Sequence, residues 1–213
     1  MNKVYVVLMC AGLFIASFYG YQWWQSTQGV EQVAAEETEQ WQTPAAEKDE
    51  KEAIHSSDQD VVMSNETKSY EKGDEVGRLI IPTIEKGFTT YWGTDEETLS
   101  QGVGMFVSKF TTTPDQRHHT VLSGHRDTVF TSLKDVQNGD PIFLEFDGKR
   151  YEYKVIGMKI VDEDDRTVIV DKEEATLTLT TCYPFDFIGH APNRYIIHSE
   201  LVNVMDMSLE RTK

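Results

Sequence analysis

Between Ala175 and Pro184 the chain reads ATLTLTTCYP, and its apolar and polar positions alternate strictly. A period of two is the signature of a β-strand: Ala175, Leu177, Leu179 and Thr181 fall on one face, Thr176, Thr178, Thr180 and Cys182 on the other. The leucine face is expected to point into a core. The threonine face, ending in Cys182, is expected to lie open to water. Similar short runs recur through the C-terminal two thirds. GRLIIPTI (Gly77 to Ile84) predicts a strand broken at Pro82, Phe88 to Trp92 a short aromatic strand, and His119 to Ser123 a third. Ile142 to Phe146 and Arg150 to Val161 predict a hairpin turning at Asp147-Gly148, and Arg194 to Val204 a last strand. Asp95 to Phe106 is the one clear helical stretch, with Thr94 or Asp95 as its N-cap and Gly102 and Gly104 ending it. Many short strands around one minor helix predict an all-β barrel or sandwich over residues 76–213.

The first 75 residues follow other rules. Val4 to Tyr21 is an uncharged apolar run preceded by Lys3 and followed by Trp23 and Trp24, which predicts a membrane-spanning helix within residues 1–24. A cleaved signal peptide is a weaker reading, since bulky Tyr21, Trp23 and Trp24 make a poor cleavage site. A lipoprotein signal ending at Cys10 is weaker too, because Leu8 and Met9 precede that cysteine. Residues 25–75 carry fourteen acids against four lysines, the composition of a flexible, solvated stalk, and a short helix around Glu31 to Gln40 is compatible with it. The lysine before the apolar run and the acids after it put the N-terminus in the cytoplasm and the rest outside.

The 213 residues carry a net charge of -16. No excess of Lys and Arg is available to displace counterions from phosphates, so nucleic acid is excluded as a partner. The two cysteines, Cys10 and Cys182, cannot pair if one lies in the membrane run. Zinc-type ligand spacings are missing, and no cofactor is implied. Asp162 to Asp165 offer calcium-type oxygens, but four consecutive acids lack the alternation of a calcium loop and read as a solvated turn.

A thiol becomes a nucleophile when a base or cation stands beside it. Among six histidines, His125 is the first choice for that base, since it follows Ser123-Gly124 at a strand end where the glycine lets the backbone turn. His118 and His119 read as an exposed pair, His190 as a loop residue and His198 as a structural or partly exposed one. Arg194 opens the strand after the Cys182 loop and lies near the thiol if the two strands are antiparallel neighbours, where it could stabilise an oxyanion. The alternative is a surface arginine paired with a carboxylate such as Asp186.

Thr178-Leu179-Thr180-Thr181-Cys182 matches the TLxTC signature of sortases, and Ser123-Gly124-His125 and Arg194 stand in that family's order. Residues 76–213 resemble a sortase throughout, and LSGHRDTVF and TLTTCYPF look most like class D. The resemblance implies an eight-stranded sortase-type β-barrel with one or two short helices. It implies catalytic roles for Cys182, His125 and Arg194, and substrate placement by Thr181 and Thr180. Asp127 is a candidate to orient His125, with a structural role as its alternative. The implied reaction cuts an LPxTG-like sorting motif of surface proteins after its Thr, through a thioacyl enzyme. The acyl group then passes to a peptidoglycan precursor or other cell-wall amine. A non-catalytic, membrane-tethered β-domain that binds a surface partner, with an ordinary Cys182 thiol, is the alternative in another class.

Overall fold

The computed structural model describes residues 2–27, 30–32, 69–186 and 189–208. Helix α1, Asn2–Thr27, includes an apolar span at Lys3–Tyr21, with exposed Val4, Leu8, Phe14 and Phe18 side chains distributed around it. A helix apolar on every side is suited to lipid, and α1 is a candidate membrane anchor. Val30–Gln32 forms a short strand, β1, so the helix considered from Glu31 does not begin there. The rest of that stretch, and most of the expected stalk, lies outside the described residues.

Eight further strands build the barrel: β2 (Glu75–Ile81), β3 (Lys86–Trp92), β4 (Val103–Met105), β5 (His119–Ser123), β6 (Pro141–Phe146), β7 (Lys149–Asp162), β8 (Thr176–Tyr183) and β9 (Asn193–Asp206). Their order is β3-β2-β6-β7-β9-β8-β5-β4, and a parallel β3–β4 pairing closes the ring. β1 adds to β3 beside Lys86–Phe88, while β4 takes the later part of that strand. Closure removes the exposed edges that an open sheet would present.

Period-two patterning fills the interior. Leu79 and Ile81 of β2 point inward with Phe88, Leu122, Leu144, Tyr151, Tyr153, Leu177, Leu179 and Ile197. Ile80, on the opposite face, packs outside the barrel with Phe143 and Met205. The β6–β7 hairpin turns where expected: Asp147 and Gly148 both take positive φ, 48° and 75°, as a two-residue type I′ turn requires. Packing begins ahead of Val76, since Tyr70 lies against the Trp92 and Phe146 rings.

Two expectations for the barrel domain change. The helix is α2, Glu96–Gln101, capped by Asp95, whose carboxylate accepts from Thr98 N and Thr98 Oγ1. It ends at Gly102, and the following residues form β4. A Cβ on Gly104 would collide with the Gly93 carbonyl oxygen. Glycine at 104 therefore allows close backbone approach within the closing sheet, and three strand residues are too few to show a period.

The threonine face of β8 is the second change. Thr178 is 0% exposed and Thr176 7%, so the face is open only towards Thr180 and Cys182. The β7–β8 loop covers the rest. His118 and His119, expected as an exposed pair, pin it: His118 Nδ1 lies 2.9 Å from the Lys172 carbonyl oxygen and His119 Nδ1 2.6 Å from that of Val170. His118 is exposed, but His119 is fully buried. Since a carbonyl only accepts, His119 donates through Nδ1. Its neutral Nε2 then accepts from Thr178 Oγ1 at 2.9 Å, and that oxygen accepts from His198 Nδ1 at 3.2 Å.

Candidate active site

Three strand ends meet at one rim of the barrel. β8 and β9 run antiparallel with Cys182 directly opposite Arg194. β5 runs parallel to β8 with Ser123 beside Thr180, and Gly124 N continues the ladder to the Thr180 carbonyl at 3.3 Å. Two more residues in that register bring His125 level with Cys182. All three side chains line one cleft of about 410 Å³. Cys182 and His125 are half-buried, so both are shielded yet reachable.

The turn that carries His125 is held from three directions. Thr181, only 3% exposed, donates its hydroxyl to the Gly124 carbonyl at 2.7 Å. Phe130 N donates to the His125 carbonyl at 2.9 Å, folding residues 125–130 back on themselves. Arg126 donates to the Pro184 carbonyl at 3.0 Å and the Gly189 carbonyl at 2.6 Å, tying this turn to the loop after Cys182. Gly124 owes its place to crowding and not to a left-handed φ. A Cβ there would meet Val129 Cγ2 at 2.6 Å and Phe130 Cδ2 at 2.8 Å.

Arg194 is equally fixed. Its Nη1 donates to the Ala191 and Asn193 carbonyls, both at 3.0 Å, and its Nη2 to Glu163 Oε2 at 3.3 Å. A guanidinium has five N–H donors, so two remain for a ligand. The carboxylate partner is thus Glu163 of the β7–β8 loop, not Asp186. Glu163 also bonds His190 Nε2 at 2.9 Å. Its carboxyl is held below the ordinary range, first by the His190 hydrogen bond and then, against some desolvation, by the charges of His190 and Arg194. Thr180 lines the cleft and is half-buried, whereas the Thr181 hydroxyl is used inside the protein. Asp127 is exposed and makes no hydrogen bond to His125. Among the described residues no group of three His, Cys, Asp or Glu is placed to hold a metal ion.

Arg126 and Glu163 are the site-shaping residues that sequence reasoning missed. Arg126 follows His125 directly, but nothing in one sequence says that its partners are carbonyls some sixty residues away. Glu163 belongs to a run of acids that reads as solvated, and only the fold brings it to Arg194.

A closed β-barrel with a thiol, an imidazole and a guanidinium gathered at one rim cleft defines the class first: a β-barrel enzyme frame with its reactive groups at strand ends. Comparison with known proteins then gives the family. Residues 79–202 match the sortase domain model. Sortase D of Bacillus subtilis is 34% identical over 204 residues, covering 95% of this chain and 100% of that protein. Sortase A of Listeria monocytogenes is 28% identical over 67% of this chain and 63% of that protein. Among solved structures, the catalytic domain of B. anthracis SrtD is 51% identical with a TM-score of 0.58, covering 68% of this chain and 99% of that one. Listeria monocytogenes sortase A superposes with a TM-score of 0.57 at 26% identity, covering 64% and 92%. The chain belongs to the sortase family, the cysteine transpeptidases.

Proposed function

We propose that this chain is a class D sortase, anchored in the membrane by its N-terminal helix with the N-terminus cytoplasmic and the catalytic domain outside. Residues 1–24 form the anchor, 25–75 the stalk and 76–213 the catalytic domain. It cleaves an LPxTG-like sorting motif after Thr and transfers the acyl group to a cell-wall amine, so attaching surface proteins. Cys182 adds to the Thr carbonyl, the following C–N bond breaks, and the leaving amine takes its proton from His125. The acceptor amine then attacks the thioester, an amide forms, the Cys182 thiolate is released, and His125 receives the amine's proton. The two uncommitted donors of Arg194 meet the developing oxyanion. Class D is supported by the identity to two sortases D over nearly their whole lengths.

The observation that carries this reading is the direct pairing of Cys182 with Arg194 at the cleft that His125 also lines. Cys182→Ala should abolish cleavage of LPxTG-type peptides, and His125→Ala and Arg194→Ala should each cost about a hundredfold or more in kcat/KM. Undiminished turnover by Cys182→Ala would end the proposal.

A further inference from the structure

Beneath the same β7–β8 loop, on the far side of Val168, lies a second cavity of about 430 Å³. Val168 is buried and walls both cavities. In a chain of net charge -16, this cavity gathers Lys159 from β7, Lys172 from the loop and His198 from β9. Thr176 lines it from β8. That residue is 7% exposed, and its hydroxyl is buried without a hydrogen-bond partner. A buried hydroxyl left this way is costly, and an acceptor atom within the cavity would relieve the cost.

The basic groups are only partly countered: Lys159 acts on Asp165 of the β7–β8 loop, which does not line the cavity. Lys172 is held below the ordinary lysine range by burial and by the Lys159 charge, and Glu200 offsets only part of this. Glu200 is exposed, stands opposite Thr176 in the β8–β9 ladder and does not line the cavity. His198 is pushed down to about 4 by burial first, then by Lys172, Lys159 and His119. Asp171 acts on His119 behind it. Because His198 Nδ1 is used towards Thr178, Nε2 is the ring atom left for a ligand.

We propose that this cavity is an oxyanion site of the phosphate class, taking free phosphate or the phosphate of a larger ester, with Lys159 and Lys172 supplying charge, Thr176 Oγ1 supplying a directed hydrogen bond, and His198 Nε2 becoming a further donor when the ring is protonated. The combination is of cations with a fixed donor, a pattern that suits phosphate oxygens. The site is independent of the cysteine chemistry. Its occupant would sit one side chain away from the cleft.

The test uses the full chain in neutral detergent, titrated with inorganic phosphate against chloride at equal ionic strength. Calorimetry reads the binding, and NMR of the His198 ring reads the site. Saturable binding is expected, with the His198 titration moved up by about one unit or more, as a neighbouring anion does. Lys172→Gln should weaken binding by roughly tenfold, the worth of one charge-assisted contact. Thr176→Val should weaken it while His198 still responds. Glycerol phosphate and phosphatidylglycerol vesicles, set against phosphatidylcholine, separate an ester or lipid headgroup from the free ion, and tighter binding of either names the larger source. An identical His198 titration in phosphate and chloride, or phosphate binding indifferent to Lys172→Gln, would overturn the assignment.

Discussion

Thr181 offers two opposed roles that one pair of substitutions separates. As the residue before Cys182 it is expected to place substrate, yet its hydroxyl is buried and donates to the Gly124 carbonyl at 2.7 Å. The geometry therefore has it hold the His125 turn. Thr181→Val keeps the volume and removes the donor, leaving a buried carbonyl without that partner, at a cost of about 1–3 kcal/mol. Thr181→Ser keeps the donor and loses one methyl, at a cost of about 0.8 kcal/mol. The stability losses are similar in kind, but the kinetic outcomes differ. Releasing the turn misplaces the imidazole, and misplacement by about 1 Å costs about a hundredfold in rate. Thr181→Val should therefore lose kcat with KM little changed, while Thr181→Ser keeps kcat. Denaturant unfolding and steady-state cleavage of a sorting peptide read both quantities. If Thr181→Val unfolds at the wild-type midpoint and raises KM at constant kcat, Thr181 serves substrate, and the turn-holding role is refuted.

The His119-Thr178-His198 relay predicts acid lability. His198 binds its proton near pH 4 when folded and near 6.5 when unfolded, so its contribution is complete above about pH 6.5 and lost as pH falls towards 4. That shift corresponds to at most about 3 kcal/mol, and to about 2 after screening of this partly exposed ring. Denaturant midpoints at pH 7.5 and 4.5, in phosphate-free buffer, should show the loss, and His198→Gln should reduce it, leaving the part owed to His119, which burial also pushes down. Gly124→Ala forces a Cβ against Val129 and Phe130, so it should destabilise the protein by about 1–3 kcal/mol in thermal unfolding and depress turnover by moving His125. Glu163→Gln leaves Arg194 held by two carbonyls, so cleavage should fall less than about tenfold and the unfolding midpoint should barely move.

The barrel was legible in the sequence wherever short-range physics decides the outcome. The leucines of β8 alternate into the core, Asp147-Gly148 can turn only one way, and Cys182 and Arg194 flank a single loop, so antiparallel pairing sets them side by side. The less legible features depend on distant partners. β4 is three residues long and exists because β3 and β5 receive it. The β7–β8 loop reads as solvated acids and polar residues, yet it buries half of a strand face once His118 and His119 take its carbonyls. Gly124 reads in the sequence as the residue that lets the backbone turn, but its φ is not left-handed, and the cause is crowding by Val129 and the Phe130 ring, which no spacing reveals.

Trapping the acyl enzyme tests the central claim most directly. A sorting peptide of the LPxTG type is incubated with the protein without an acceptor amine, and intact-mass and fragment spectrometry follow. The account predicts a mass increase equal to the peptide's acyl part through Thr, carried on Cys182, and its loss on adding an amine. An unmodified Cys182 during active cleavage, or an acyl group carried on another residue, would contradict it.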